Sequence, residues 1–223
     1  GTKETWRIIG LFPDGANGEN VIRVRKVGYE IAKYDSNGTN HWPKTTLYTT
    51  LSSTYTLANY KNTVNYKMYL GTSSSYSSYT SQDLYDMERM LNNKGTAGAT
   101  SQNSYNSATT FTGSVGLMYP SDYGYAVLAI DCTRTTEPYN YYGTSACYKN
   151  NWLYYSSALQ WLISPNSSDA HEAFNVEAIG FVNDYYDNGY GVTDPGSFSP
   201  VMALKADVVV TGSGTQSDPY VMN

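Results

Sequence analysis

The sequence predicts an α+β fold of short antiparallel strands, two helices and long irregular loops. Three observations carry this. Short apolar runs, several with period-two alternation, recur along the chain; helical spacing is found at only two places, both in the first half; and long Gly-, Ser-, Asn- and Tyr-rich stretches lie between them. With 223 residues and no break in composition, one domain over 1–223 is expected.

Residues 6–12 form an apolar run that ends at the turn signal Pro13-Asp14-Gly15-Ala16-Asn17-Gly18, and residues 21–27 follow with period-two alternation. Together they predict a hairpin with a solvated face, on a loop too long for a two-residue turn. Beyond a polar loop and His41-Trp42-Pro43, Leu47, Leu51 and Tyr55 recur at helical spacing, with Thr45 or Thr46 as cap. A second helix over 83–91 sets Leu84, Met87, Met90 and Leu91 on one face, behind Thr80 or Ser81. Residues 92–112 are small and polar without periodicity, which predicts a surface excursion or a working loop.

Residues 115–119 read as a strand halted by Pro120-Ser121-Asp122, and 123–130 as either a strand or a short helix. The stretch 131–151 reads as a loop. Short buried elements are expected at 152–154 and 161–165, a strand over 173–182, a hairpin turn over 185–193, short strands at 199–204 and 207–210, and a terminal strand at 220–222.

Only 15% of the residues are charged, and 14 Lys plus Arg against 19 Asp plus Glu give a formal charge of -5. The basic residues are scattered, which argues against a nucleic-acid groove, since phosphate contacts need a basic footprint. An aromatic content of 15% argues against disorder. No run approaches the roughly 18 apolar residues of a membrane-spanning helix. Residue 1 opens no signal peptide, so trimming is expected at that end. The spacing of Cys132 and Cys147 is compatible with a disulfide and with two reduced thiols.

Catalytic signatures are sparse. The chain lacks HExxH, GxSxG and a phosphate-binding glycine loop, and its two histidines, His41 and His171, read as solvated or locally bonded. Asp184, Asp187 and Asp194, with Asn183 and Asn188, form an oxygen-rich run, and Asn166 to Asp169 and Asp131 extend the candidates for a hard cation. That run departs from calcium-loop spacing and equally fits solvated turns, so no metal site is assigned. Paired glycosidase carboxylates are disfavoured because no helix or strand fixes two acids toward one cleft. Asn37 and Asn166 satisfy the glycosylation rule.

The aromatic loops are more informative. Tyr139, Tyr141, Tyr142, Tyr148, Tyr154 and Tyr155, then Tyr185, Tyr186 and Tyr190, alternate with Asn, Ser, Asp and Gly. Tyr offers large contact area at low entropy cost, which suits a recognition surface. The alternative is that these rings anchor irregular loops poor in aliphatic residues.

Residues 115–124 (VGLMYPSDYG), Trp152-Leu153-Tyr154, Trp161-Leu162-Ile163-Ser164-Pro165 and residues 199–221 (SPVMALKADVVVTGSGTQSDPYV) resemble the DUF6273 family, a domain of unknown function in surface and secreted proteins of Firmicutes and gut bacteria. The opening at 5–10 and the helix at 85–89 extend the resemblance over nearly the whole chain. It implies a C-type-lectin-like fold and a Cys132–Cys147 disulfide. The family's Arg before the Pro-Val pair is Ser199 here, so no role carries over for it.

The function implied is that of an extracellular, non-enzymatic binding or display domain, adhesin-like, at a bacterial cell surface. It would recognise a host or microbial protein or glycan, without a cofactor, through the loops 131–155 and 183–193. The alternative is a structural subunit or spacer of a pilus or surface array, in which the same Tyr residues make self-contacts. A formylglycine-generating-like oxidase or a glycosidase stands third.

Overall fold

The computed structural model describes residues 4–98, 108–155, 159–185, 191–215 and 217–222. In chain order its elements are strands β1 (Trp6–Phe12), β2 (Val21–Lys26) and β3 (Glu30–Lys33), helix α1 (Thr46–Thr54), strands β4 (Thr63–Val64), β5 (Tyr66–Tyr69) and β6 (Gly71–Thr72), and helix α2 (Ser81–Arg89). Strands β7 (Thr96–Ala97) and β8 (Thr110–Gly113), and helices α3 (Pro120–Tyr125) and α4 (Ser145–Lys149), follow. The chain then runs through β9 (Gln160–Pro165), β10 (Ala173–Val176), β11 (Val182–Asn183), β12 (Pro195–Phe198), β13 (Val201–Lys205), β14 (Val210–Thr211) and β15 (Val221–Met222). Short 3-10 turns occupy Trp42–Lys44, Tyr76–Ser78 and Pro138–Gly143.

This is a mixed α+β architecture of open sheets. One sheet has the order β1-β2-β13-β4 and is antiparallel throughout. The other has the order β11-β10-β9-β12-β3 and is antiparallel except where β12 meets β9. Two short connections cross between the sheets, from β2 to β3 and from β12 to β13. The Ser199 hydroxyl donates to the Gly28 carbonyl at 2.6 Å and ties the two crossings together. Trp42, Tyr34, Tyr66, Met68, Met87, Ile163 and Phe174 belong to the buried core.

Both helices foreseen in the first half form where their caps allow. The Thr45 side chain accepts from the Tyr48 N–H, and α1 buries Leu47 and Leu51. Thr80 and Asp83 make a capping box ahead of α2. That helix ends at Arg89 because Met90 turns left-handed at φ 54°, so Met90 and Leu91 leave the inner face and are exposed.

Several local expectations are corrected. Residues 115–119 hold a single bridge, Gly116 to Val201, in place of a strand, and Pro120 opens α3 rather than halting a strand. The expected loop 131–151 contains a 3-10 turn and α4. The expected strand over 173–182 is a hairpin, β10 and β11, folded at the Glu177 to Phe181 turn. The strand at 207–210 shrinks to Val210–Thr211 in a small hairpin with Val221–Met222. Cys132 and Cys147 form a disulfide with Cα atoms 4.8 Å apart.

The opening hairpin forms, and the largest correction is that its charged face in β2 is buried, as Val24 on the other face is too. Arg23 and Arg25 face inward and are buried, while Ile8 and Leu11 are exposed. Inside, Arg23 donates to both oxygens of Asp122 at 2.7 and 3.1 Å and lies 3.5 Å from Asp14. Its guanidinium stacks 3.7 Å from the Phe12 ring centre. Arg89 reaches the same Asp14 at 3.1 Å and its neighbour Glu88 at 3.3 Å. Glu88 in turn accepts from the Ser121 N–H at 2.8 Å, with the Ser121 hydroxyl at 2.5 Å.

Two guanidiniums thus meet three carboxyls in a cluster that is buried except at the edge of Arg89. Burial, opposed by Arg89 and reinforced by Asp122, pushes the Glu88 carboxyl up to about 8. A protonated Glu88 leaves two cations against two anions at neutral pH. Against burial, which lowers both, Asp122, Tyr119 and Asp14 hold Arg23 above the ordinary arginine value, and Tyr119, Glu88 and Asp14 do the same for Arg89.

Two outcomes follow from this architecture. Because the folded state keeps a proton on Glu88 that the unfolded chain releases near its ordinary value of 4.5, this group's stabilisation is full below that pH and is lost as pH rises toward 8. Urea midpoints across that range should show a falling component that Glu88→Gln removes. Reducing Cys132–Cys147, or replacing both residues by Ser, should cost about 3 kcal/mol, the value for closing a loop of roughly 15 residues, read by urea unfolding with and without reductant.

Candidate functional site

A polar cleft of about 530 Å³ opens at the end of the five-stranded sheet. Its floor comes from the turn after β9 and from the ends of the β10–β11 hairpin. Asn166, Ser167, Ser168 and Glu172 line one side and Asp184 and Tyr185 the other, with Ser74, Tyr76, Ser77 and Tyr139 as the facing wall.

Asn166 builds the floor. Its side-chain oxygen accepts from the N–H groups of Ser168 and Asp169 at 2.6 and 2.9 Å, which closes the turn. Its amide nitrogen donates to the Glu172 carboxylate at 3.1 Å and to the Asp184 carbonyl at 3.0 Å. Asn40, buried beneath, donates to the carbonyls of Asp169 and Glu172 at 3.0 and 2.8 Å and fixes the turn to the N-terminal half. The Tyr76 hydroxyl donates to Asn183 at 2.8 Å, and its ring meets Tyr139 edge-on, centres 5.9 Å apart.

Both cleft acids hold their protons more tightly than usual. Burial first, then the neighbouring Asp169 and Asp184, pushes Glu172 up to about 7, with His171 opposing. Burial pushes Asp184 up to about 6 against the Tyr76 hydroxyl and a backbone N–H that favour its charge. The cleft is therefore near neutral in acid and doubly negative in mild alkali. Its carboxyl groups accept or donate hydrogen bonds according to pH, and its rings offer flat apolar faces.

The tyrosines foreseen as ligand-binding divide. Tyr139 and Tyr185 line the cleft. Tyr141 is buried and donates its hydroxyl to the Gly124 carbonyl at 2.8 Å, so it is a core residue. Tyr142 is 52% exposed and packs on Phe181. Tyr148 packs on Tyr154 and on Gly180, where a β-carbon would fall 2.4 Å from that of Tyr148. Tyr155 accepts from the Gly28 N–H at 2.9 Å, far from the cleft in the fold. Tyr186 and Tyr190 lie outside the described residues, as do Asp187 and Asn188.

Five rings converge on the turn of the β10–β11 hairpin: Tyr139 and Tyr142 against Phe181, Tyr148 against Gly180, Tyr123 by a hydroxyl donated to the Gly180 carbonyl at 2.9 Å, and Tyr154 by one donated to that of Ala178 at 2.5 Å. Anchoring loops and lining the cleft are both done by this series, and Tyr139 does both.

Among the cation candidates, Asp194 accepts from the Gly191 N–H in a turn, Asn183 is spent on Tyr76, and Asp131 sits in a separate turn. Among the described residues no group of three or more His, Cys, Asp or Glu is placed to hold a metal. His171 pairs with Asp169 at 3.2 Å, and burial, helped by Lys44, depresses His41. No helix or strand carries both acids, as expected, yet Glu172 just ahead of β10 and Asp184 just after β11 both line this cleft. Tyr76 stands in a Ser-rich stretch without periodicity and gave no signal in the sequence. The chain matches no family model, no curated protein and no solved structure.

Because Asp184 contributes to the raised value of Glu172, Asp184→Asn should lower the Glu172 titration midpoint from about 7. Carboxyl-carbon NMR shifts against pH would read this, and an unmoved midpoint would mean the two acids do not interact.

Proposed function

We propose that this chain is a non-enzymatic recognition domain of an extracellular bacterial surface protein, with a glycan as the ligand of the cleft. The observation that carries the reading is the pairing of Tyr76, Tyr139 and Tyr185 with Glu172 and Asp184 in one open polar cleft. Sugar rings present C–H faces that stack on aromatic rings, and hydroxyls that hydrogen-bond to carboxylates and amides. The disulfide suits an oxidising compartment.

A second reading, a structural subunit or spacer of a pilus or surface array, is favoured by the outer face of the four-stranded sheet. There Ile8 and Leu11 are exposed beside a groove of about 340 Å³ lined by Trp6, Met202, Leu204 and Met222.

The test is a glycan array followed by titration of any hit. Tyr139→Ala and Asp184→Asn should each weaken binding about tenfold or more while the fold, read by circular dichroism, is kept. A silent array together with concentration-dependent sedimentation would replace this reading with the structural one.

A further inference from the structure

Arg25 is a buried cation that no described acid meets. It is 1% exposed, yet among the described residues it forms no ion pair, whereas Arg23, on the same face of β2, is held by Asp14 and Asp122. Its contacts are neutral. One terminal nitrogen donates to the Ser199 hydroxyl at 3.0 Å, the guanidinium lies 4.7 Å from the Tyr155 ring centre, and Nε has no hydrogen-bond partner. The adjoining Ser156, Ser157 and Ala158 carry no carboxyl.

Arg7 sits directly opposite Arg25 in the β1–β2 register. Like charges on facing strand positions repel, and a buried charge without a counterion is costly. Arg7 is exposed, donates to the Trp152 carbonyl and lies 5.6 Å from the Trp152 ring centre. It too forms no ion pair among the described residues. Burial holds the Arg25 guanidinium down to about 10; Tyr155 opposes this and Arg7 adds to it, and the group remains charged at neutral pH.

We propose that Arg7 and Arg25, with Tyr155 and Ser199 beside them, bind an oxyanion, the carboxylate or sulfate group of an acidic ligand. Planar guanidinium forks match such a group's oxygens, and an anion held by both would relieve the repulsion and supply the missing counterion. This site shares no residue with the cleft and stands whether or not the cleft binds a glycan.

The test is thermal unfolding and calorimetric titration of the whole chain with sodium sulfate and with sodium glucuronate, at constant ionic strength set by chloride, with glucose as the neutral control. The expected result is a saturable rise in Tm with glucuronate, or with both salts, and none with glucose. Glucuronate alone would assign a carboxylate-bearing sugar, and both salts a general oxyanion site. Arg7→Gln, at an exposed position, should weaken binding about tenfold or more. Arg25→Met should abolish the response without lowering the Tm of the anion-free protein, because it removes the unpaired charge; should it not fold, Arg7→Gln decides the matter alone. No saturable rise with either salt, or a rise that Arg7→Gln retains in full, would overturn the proposal.

Discussion

The buried guanidinium of Arg23 is the joint on which the other elements close. It ties β2 to Asp14 in the first turn and to Asp122 in α3, and through Asp14 it shares charge with Arg89 at the end of α2. Three regions remote in sequence, the opening hairpin, the end of α2 and α3, therefore meet around one group. Such a cluster is expensive to desolvate and tolerates little change in geometry, because removing any partner leaves a charge stranded out of water. The aliphatic core can shift by a rotamer, but this joint fixes where α2 and α3 stand against the four-stranded sheet.

The second half of the chain is organised by a different device. Few aliphatic residues hold the stretch from Pro138 to Tyr155; its rings press on the β10–β11 turn, and Tyr154, together with Tyr123 of α3, donates a hydroxyl to that turn's carbonyls. Gly180 makes the turn possible at φ 86° and leaves room for Tyr148. The cleft exists because this clamp holds the hairpin closed, which sets Glu172 on one side of Asp184 and the wall of Tyr76 and Tyr139 opposite. Cleft wall and scaffold thus draw on one residue type, and Tyr139 belongs to both.

The α+β class, both early helices with their threonine caps, and the strands β1, β2 and β13 were legible in the sequence, because local periodicity and capping chemistry determine them. The sidedness of the first hairpin was not. Alternation in Val21-Ile22-Arg23-Val24-Arg25 shows that two faces differ, and ordinary solvation assigns the charged one to water; only Asp14, Asp122 and the rings above it reverse that choice. The cleft was half legible. Tyr139 and Tyr185 stood out by composition, but reading 173–182 as one strand puts Glu172 and Asp184 about 40 Å apart, whereas a turn at Gly180 brings them together. Nothing local marks Tyr76, whose place is set by tertiary contacts alone.

Asn166 has a consequence for how this chain is made. The nitrogen that a glycosylating enzyme would modify already serves two acceptors beneath the cleft, and the residue is 3% exposed. In a host that attaches sugars during synthesis, closure of this turn competes with the transferase for the same atom. Chains modified first would lose a donor at the cleft floor and carry a bulky group where the turn must pack. Asn37, exposed at the surface, has room for the same modification. The yield of material with an intact cleft is then decided by a race during production, and replacing the hydroxyl at Ser168 by a residue outside the sequon would remove the race at the loss of one hydrogen bond to Asn166, 3.1 Å long.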